Sequence, residues 1–277
     1  MTINAVLQRL VLSSPNVMEM GKFYERVFGY RAVMMADECR CEGESRSVWV
    51  RPGPVNQLLE SHFVFDEVAA LDAYAISLEQ HGVSYRREPF ESTTALLVRD
   101  PEGRDLWFRT GVVKNGHELG NASEVPPARL QHYAVRTPTP QRLVTFYTRA
   151  LGFTASDLVR DSTGDLSAAF LRTDAEHHSL AIFRAPERRF DHFSCETSDW
   201  MALRDWADHM ASRAVPLAWG IGRHGPGNDT FFMVRDPDGN LAEISSDLEL
   251  CAEERPVGTW EHRMETLNQW GIALMRS

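Results

Sequence analysis

Hydrophobic and polar positions along this chain fall into the same order twice. Val6 to Ser13 is apolar and strand-like. Val17, Met20, Phe23, Tyr24, Val27 and Phe28 then recur at helical spacing, and Gly29 follows as a C-terminal stop. Further on, Leu143, Phe146, Tyr147, Ala150 and Leu151 repeat the helical spacing and stop at Gly152. The words match as well as the periods. Leu7-Gln8-Arg9-Leu10 leading to Phe23-Tyr24 is echoed by Leu130-Gln131-His132-Tyr133 leading to Phe146-Tyr147, and Val98-Arg99-Asp100-Pro101-Glu102-Gly103 by Val234-Arg235-Asp236-Pro237-Asp238-Gly239. A repeat of this kind marks an internal duplication. Its seam is predicted at 115–127, a stretch rich in Gly, Pro and polar residues. The expected organisation is therefore an N-terminal domain over 1–114, a linker over 115–127 and a C-terminal domain over 128–277. Second helices are predicted at Glu67 to His81 and Trp200 to Ser212, each followed by short strands and an Asp-Pro-acidic-Gly turn. Each half then reads as two βα units.

Strand alternation singles out candidate chemistry in the second half. Successive strand residues point to opposite faces. Tyr133 and Val135 flank one face around His132, Phe193 and Cys195 do so beside His192, and Ala242 and Ile244 beside Glu243. In all three the apolar face is the one that would pack under helices, leaving the two imidazoles and the carboxylate to line a concave side. Glu243 lies on the return strand after the Asp236–Gly239 turn, and a charge buried among apolar residues is costly without a partner. A metal ion is one such partner. A glycine-rich loop upstream presents His224 beside Arg223.

Composition narrows the class. The chain has 277 residues, enough for one large or two ordinary domains, with 43% hydrophobic and 25% charged residues. A net charge of -10 works against a nucleic-acid backbone as partner. The four cysteines lack zinc-type spacing and read as free thiols of a reducing compartment. The first residues lack a basic signal-like region, and no apolar run reaches membrane-spanning length, so a cytoplasmic protein without membrane contact is expected.

Taken together, the duplicated halves, the Leu-Gln-His-Tyr strand, Glu176-His177-His178-Ser179-Leu180-Ala181-Ile182-Phe183, Asp191-His192-Phe193, Gly222-Arg223-His224-Gly225 and the Asp236-Pro237-Asp238-Gly239…Glu243 ending resemble the vicinal-oxygen-chelate superfamily. More narrowly, they resemble its two-domain type I extradiol ring-cleavage dioxygenases, over essentially the whole chain. The resemblance implies an α+β fold of tandem βαβββ modules, four in all and two per domain, forming cup-like mixed sheets. It implies Fe(II), with Mn(II) as the alternative, held by His132, His192 and Glu243, a ligand set suited to non-haem iron with open positions. It implies an aromatic diol and O2 as substrates. His178 takes the place of the family's acid/base histidine, and His224 that of the histidine bonding a substrate oxygen, tasks that suit imidazole. Arg223 is a candidate for an anionic substrate group. Met233 stands where many relatives carry a tyrosine, and a thioether cannot donate that hydrogen bond. This departure keeps open a second reading, a glyoxalase-like isomerase or a dioxygenase of a non-catechol enediol. A third, a metal-free sequestering module, is opposed by the complete ligand set. In the first half the matching positions read as Arg9, His62 and Trp107, a set unable to hold the same ion. His177, together with His81, His117, His209 and His262, is expected to be solvated, and the tail with Trp260 and Trp270 is given no catalytic role. A homo-oligomer is expected for such an enzyme.

Overall fold

A computed structural model describes residues 2–91, 93–112 and 125–275. Four βαβββ modules follow one another. The first comprises β1 (Val6–Ser14), α1 (Val17–Phe28), β2 (Arg31–Met35), β3 (Glu38–Gly43) and β4 (Arg46–Pro52). The second runs β5 (Gln57–Phe65), α2 (Val68–Gln80), β6 (Arg86–Phe90), β7 (Thr93–Arg99) and β8 (Asp105–Thr110). The third has β9 (Arg129–Thr137), α3 (Pro140–Thr145) continuing as a wider π turn over Phe146–Ala150, β10 (Thr154–Arg160), β11 (Leu166–Arg172) and β12 (Leu180–Arg184). The fourth is β13 (Arg189–Glu196), α4 (Trp200–Ser212), β14 (Trp219–Arg223), β15 (Thr230–Arg235) and β16 (Leu241–Ser246), followed by a tail with β17 (Gly258–Glu261) and α5 (Met264–Leu267).

The modules pair into two mixed sheets. One has the order β2-β3-β4-β1-β5-β8-β7-β6, the other β14-β15-β16-β13-β9-β12-β11-β10-β17. At the middle of each sheet the first strands of its two modules run antiparallel, β1 beside β5 and β9 beside β13. Each of these strands also has a parallel neighbour from its own module, as β13 has β16. This arrangement brings residues far apart in sequence onto adjacent strands. The predicted seam at 115–127, with His117, lies largely outside the described residues.

The predicted helical stops have a physical basis. Gly29 and Gly152 take left-handed backbone angles (φ 66 and 73), which glycine reaches without a Cβ penalty, and the Gly29 N–H donates to Glu25 O at 3.1 Å. The Asp-Pro turns close on their own side chains: the amides of Asp238 and Asn240 both donate to Asp236 Oδ1, at 3.0 and 2.8 Å.

One apolar core runs through both halves under the helices. Tyr24 and Phe28 of α1 pack edge-on or tilted against Phe193 of β13, and Phe28 also meets Trp206 of α4. Two hydrogen bonds cross between the halves in pseudo-symmetric fashion. Tyr24 Oη donates to Asp236 Oδ2 at 3.0 Å, and Tyr147 Oη to Asp100 Oδ2 at 3.2 Å. Thus the helix tyrosine of each half reaches the turn aspartate of the other. His209 of α4 is a correction to the solvated expectation: it is buried, and its Nε2 lies 2.9 Å from Val27 O at the end of α1.

Candidate metal centre

Three adjacent strands position the cluster. Ser194 of β13 pairs with both His132 of β9 and Glu243 of β16, and His192 sits two residues before it. Side chains on the opposite face, Tyr133, Val135, Phe193, Cys195, Ala242 and Ile244, belong to the helix-side core. His132, His192 and Glu243 therefore share the concave face, and each is buried. One candidate ligand atom from each lies within 4.8 Å of the others.

The hydrogen-bond pattern defines which atoms are free. His132 Nδ1 lies 2.5 Å from Gln131 Oε1, and His192 Nδ1 lies 2.6 Å from Asp191 Oδ1. Gln131 is itself oriented, because its amide nitrogen donates to His178 O at 2.7 Å. Both Nδ1 positions thus carry a hydrogen, leaving the two Nε2 atoms as the nitrogens that face the cluster. Yet these Nε2 atoms face each other at 3.2 Å. Two lone pairs at that distance repel unless a proton or cation lies with them. Glu243 completes the case: its Oε1 is 3.6 Å from His132 Nε2, and neither of its buried oxygens has a hydrogen-bond partner among the described residues. Two bare imidazole nitrogens and an unsatisfied carboxylate fit a divalent cation of the N/O-preferring kind. The outer contacts of Gln131 and Asp191 supply the orienting partners such histidines require.

Electrostatics agrees with that donor set. Burial would push the Glu243 carboxyl up, but His224, His132 and His192 hold it down to about 2. Burial lowers His132 to about 3, with Glu243 opposing and the neighbouring histidines assisting. His178 is lowered well below the usual imidazole range by burial and by the same histidines.

The other expected residues are placed unequally. His178 rests in the bend before β12, its ring 4.2 Å from that of His132. His224 follows β14; its Nδ1 lies 2.5 Å from Leu267 O in the tail, its Nε2 3.6 Å from Glu243 Oε2, and its ring stacks on Phe231 at 3.7 Å. Its pKa is raised despite burial, because Asp229 and Glu243 favour the charged form. Met233 is buried in the cavity wall. Arg223, the candidate for an anionic substrate group, is turned elsewhere: it donates to Asn228 O, lies 3.7 Å from Asp247 and covers Trp270. His177 also departs from expectation. It is fully buried, with Nε2 3.2 Å from Asp157 Oδ2, not solvated.

A small cavity adjoins the cluster. His132, His178, His192 and His224 line one side, and Phe170, Ala181, Phe183, Pro226, Met233 and Leu267 make the rest chiefly apolar. No lysine or arginine lines it among the described residues.

Two participants were not singled out from the sequence. Asp229 is fully buried with both oxygens unpartnered among the described residues, and it clusters with His224 and Glu243. Burial pushes it up to about 7, opposed by His224 and aided by Glu243. Only its place directly after the glycine-rich Gly225–Asn228 loop hinted at this. The tail is the second: Leu267 contributes both a cavity wall and the carbonyl that orients His224.

The first half provides a control, and its register revises the match. Arg9 pairs with His62, and His62 with Trp107, as His132 pairs with Ser194 and Ser194 with Glu243. The counterpart of His192 is therefore Glu60, two residues before His62. His62 instead stacks parallel to Trp107 with centroids 5.7 Å apart and places Nε2 3.0 Å from Glu60 Oε2. The Arg9 guanidinium lies 3.9 Å above the Trp49 ring. A fixed side-chain cation thus occupies the region matching the second half's cluster.

These features belong to a known class. Residues 129–244, which carry the whole cluster, match the Glyoxalase/Bleomycin resistance protein/Dioxygenase superfamily. Within it, the chain is similar to metapyrocatechase 2 of Cupriavidus necator, at 30% identity over 197 residues covering 70% of this chain and 58% of that one. It is also similar to the biphenyl-2,3-diol 1,2-dioxygenase of Pseudomonas sp. strain KKS102, at 25% identity over 80% of this chain and 82% of that one. In fold it matches the Mn(II)-bound glyoxalase from Novosphingobium aromaticivorans with TM-score 0.80 at 22% identity, over 98% of this chain and 92% of that structure.

Proposed function

We propose that this chain is an extradiol dioxygenase that opens a catechol-type ring with O2, using Fe(II) held by His132, His192 and Glu243. The carrying observation is the pair of bare Nε2 atoms beside an unsatisfied carboxylate in a largely apolar cavity. The names of the diol-cleaving relatives support the same reading. When bound, the ion would supply Lewis-acid charge to the diol oxygens and a route for electrons to dioxygen. The remaining work falls to the chain. His178, neutral in its buried setting, takes a proton from a diol hydroxyl and later returns it. His224, anchored through Leu267 O, offers Nε2 to a substrate oxygen, and Asp229 with Glu243 favours its protonated form. Phe170, Phe183, Met233 and Leu267 exclude water and hold the ring.

The same wall argues for the substrate class. With no lysine or arginine in the lining among the described residues, Arg223 engaged elsewhere and His224 already faced by Asp229 and Glu243, an anionic substituent would enter the cavity poorly compensated, at considerable cost. The substrate in this reading is a catechol with an uncharged, apolar substituent. The N-terminal half, 1–114, serves packing and not chemistry, since Arg9, Glu60 and Trp107 occupy its matching positions. The protein acts as a cytoplasmic homo-oligomer in this reading; among the described residues no helix is long and apolar enough to cross a membrane.

The test is anaerobic reconstitution with Fe(II), then oxygen uptake and near-visible absorbance over alkyl-, aryl- and carboxylate-substituted catechols. One O2 consumed per ring opened, with apolar substituents preferred, is the expected result. Met233, which removes the hydroxyl that relatives carry, favours one other reading, an isomerase like the glyoxalase that shares the fold. Metal binding without oxygen uptake on any catechol would select it.

A further inference from the structure

His177 is placed to do more than fill space. It follows Glu176 in the bend before β12, and the chain passes close by because Gly227 takes a left-handed angle (φ 82) and leaves no Cβ against it; an added Cβ would lie 3.1 Å from His177 Nδ1. The ring has no solvent exposure. Its Nδ1 lies 3.1 Å from His178 Nδ1, and its Nε2 faces Asp157 Oδ2 at 3.2 Å. Asp157 is also buried and is itself held in place. Trp260 Nε1 donates to its Oδ2 at 2.7 Å, and Arg255 Nη2 lies 3.0 Å from its Oδ1.

These contacts restrict where the protons sit. The Asp157 oxygen would repel a lone pair, so the His177 nitrogen that faces it carries the hydrogen, although the contact lies outside hydrogen-bond geometry. A neutral imidazole carries one hydrogen. Its Nδ1 is left with a lone pair. A nitrogen–nitrogen contact needs one donor and one acceptor, so His178 must supply Nδ1–H. The lone pair of His178 is thereby left on Nε2, the nitrogen available to the cavity that this ring lines.

We infer that His177, held by Asp157, is a positioning residue that fixes His178 in the Nδ1–H tautomer with its basic Nε2 presented to the substrate. This rests on the reading of His178 as the group that exchanges a proton with the diol. In the opposite tautomer Nε2 would carry a hydrogen and could not accept one. Trp260 ties the device to the tail, whose Thr266 and Leu267 line the cavity.

The test separates the tautomer from the activity. Two-bond proton–nitrogen correlation on the full chain, with its metal removed and its histidines labelled with nitrogen-15, reads each ring's tautomer directly. The wild-type His178 is expected as Nδ1–H, and His177→Phe should move it toward Nε2–H. In the Fe(II)-loaded enzyme the same variant should lower kcat on the order of 100-fold, the scale of a misplaced catalytic group, with KM and iron content nearly unchanged. His177→Gln, whose amide keeps one donor and one acceptor, should recover most of the loss. A wild-type His178 carrying its proton on Nε2, or a tautomer indifferent to His177→Phe, overturns the inference. If His177→Phe does not fold, the wild-type spectrum and Asp157→Asn decide it. If no catechol is turned over but the tautomer behaves as described, the functional reading fails and the positioning inference stands.

Discussion

Glu243 is a buried carboxylate without a hydrogen-bond partner among the described residues, and His132 and His192 point bare nitrogens toward one another beside it. Atoms so arranged are incomplete alone. Adding Fe(II) or Mn(II) without oxygen should raise the melting temperature, since a ligand at 100 times its Kd stabilises the folded state by about 2.7 kcal/mol. His132→Ala and Glu243→Gln should abolish the rise in differential scanning calorimetry; an undiminished rise in both would displace the site. Asp191→Asn tests the outer contact to His192 Nδ1 and should weaken metal affinity by roughly 10–100-fold while leaving the fold intact, read by competition with a chelator. Met233→Tyr restores a phenol at the cavity wall, and a gain in kcat on unsubstituted catechol is the expected outcome. At this scale the sequence exposed the candidate ligands but not their supports. His177 could not be distinguished from a solvated neighbour of His178, because the aspartate it faces is twenty residues upstream on another strand.

The elements that matter most are the glycine-rich loop after β14 and the tail that lies across it. Gly225 donates its N–H to Thr266 O at 3.0 Å, and a Cβ there would come within 2.8 Å of both that oxygen and the Trp260 ring. The tail packs against the absence of a side chain. Gly225→Ala should push it away and destabilise the closed arrangement by about 1–3 kcal/mol, as overpacking does. Limited proteolysis should then cut faster between β16 and α5, and an unchanged cleavage pattern would show that the tail accommodates the methyl group. Helices and strands were readable from period and stop signals, α4 to both ends and α1 to its glycine stop. The tail was read only by resemblance, as a segment that folds back near the site entrance; its few apolar residues form no long period, and its contact with His224 runs through a backbone carbonyl that sequence does not reveal.

Across the molecule, the two halves are joined by exchanged tyrosines, and their aspartates differ in a way that sets a pH response. Arg104 bonds Asp100, whereas the matching Asn240 bonds Asp236 without a charge. Burial therefore pushes Asp236 up to about 6, only partly opposed by Asn240 and Tyr24. With the folded pKa above that of the unfolded chain, the folded state binds more protons between them. The associated stability is fully present below about pH 4, lost as pH rises through about 6 and flat beyond, a change of roughly 2–3 kcal/mol. Urea unfolding of wild type and Asp236→Asn between pH 4 and 7 should differ by this slope, and parallel curves would remove Asp236 as its source.

The sequence by itself determined the duplication, the four modules, the helices and the strand faces, because these depend on local period, turn chemistry and repetition within one chain. It also exposed His132, His192 and Glu243 as residues of one face. Only the tertiary structure decided register and company. The pairing of β5 with β1 and β8 makes Glu60, not His62, the counterpart of His192, a two-residue shift that preserves the strand face and so leaves no trace in the alternation. Likewise Arg223 faces away from the cavity, while His177 and Asp229 lie within the buried surroundings of the site. Such placements follow from which strands meet and how a loop folds over them, long-range contacts that no single stretch of sequence encodes.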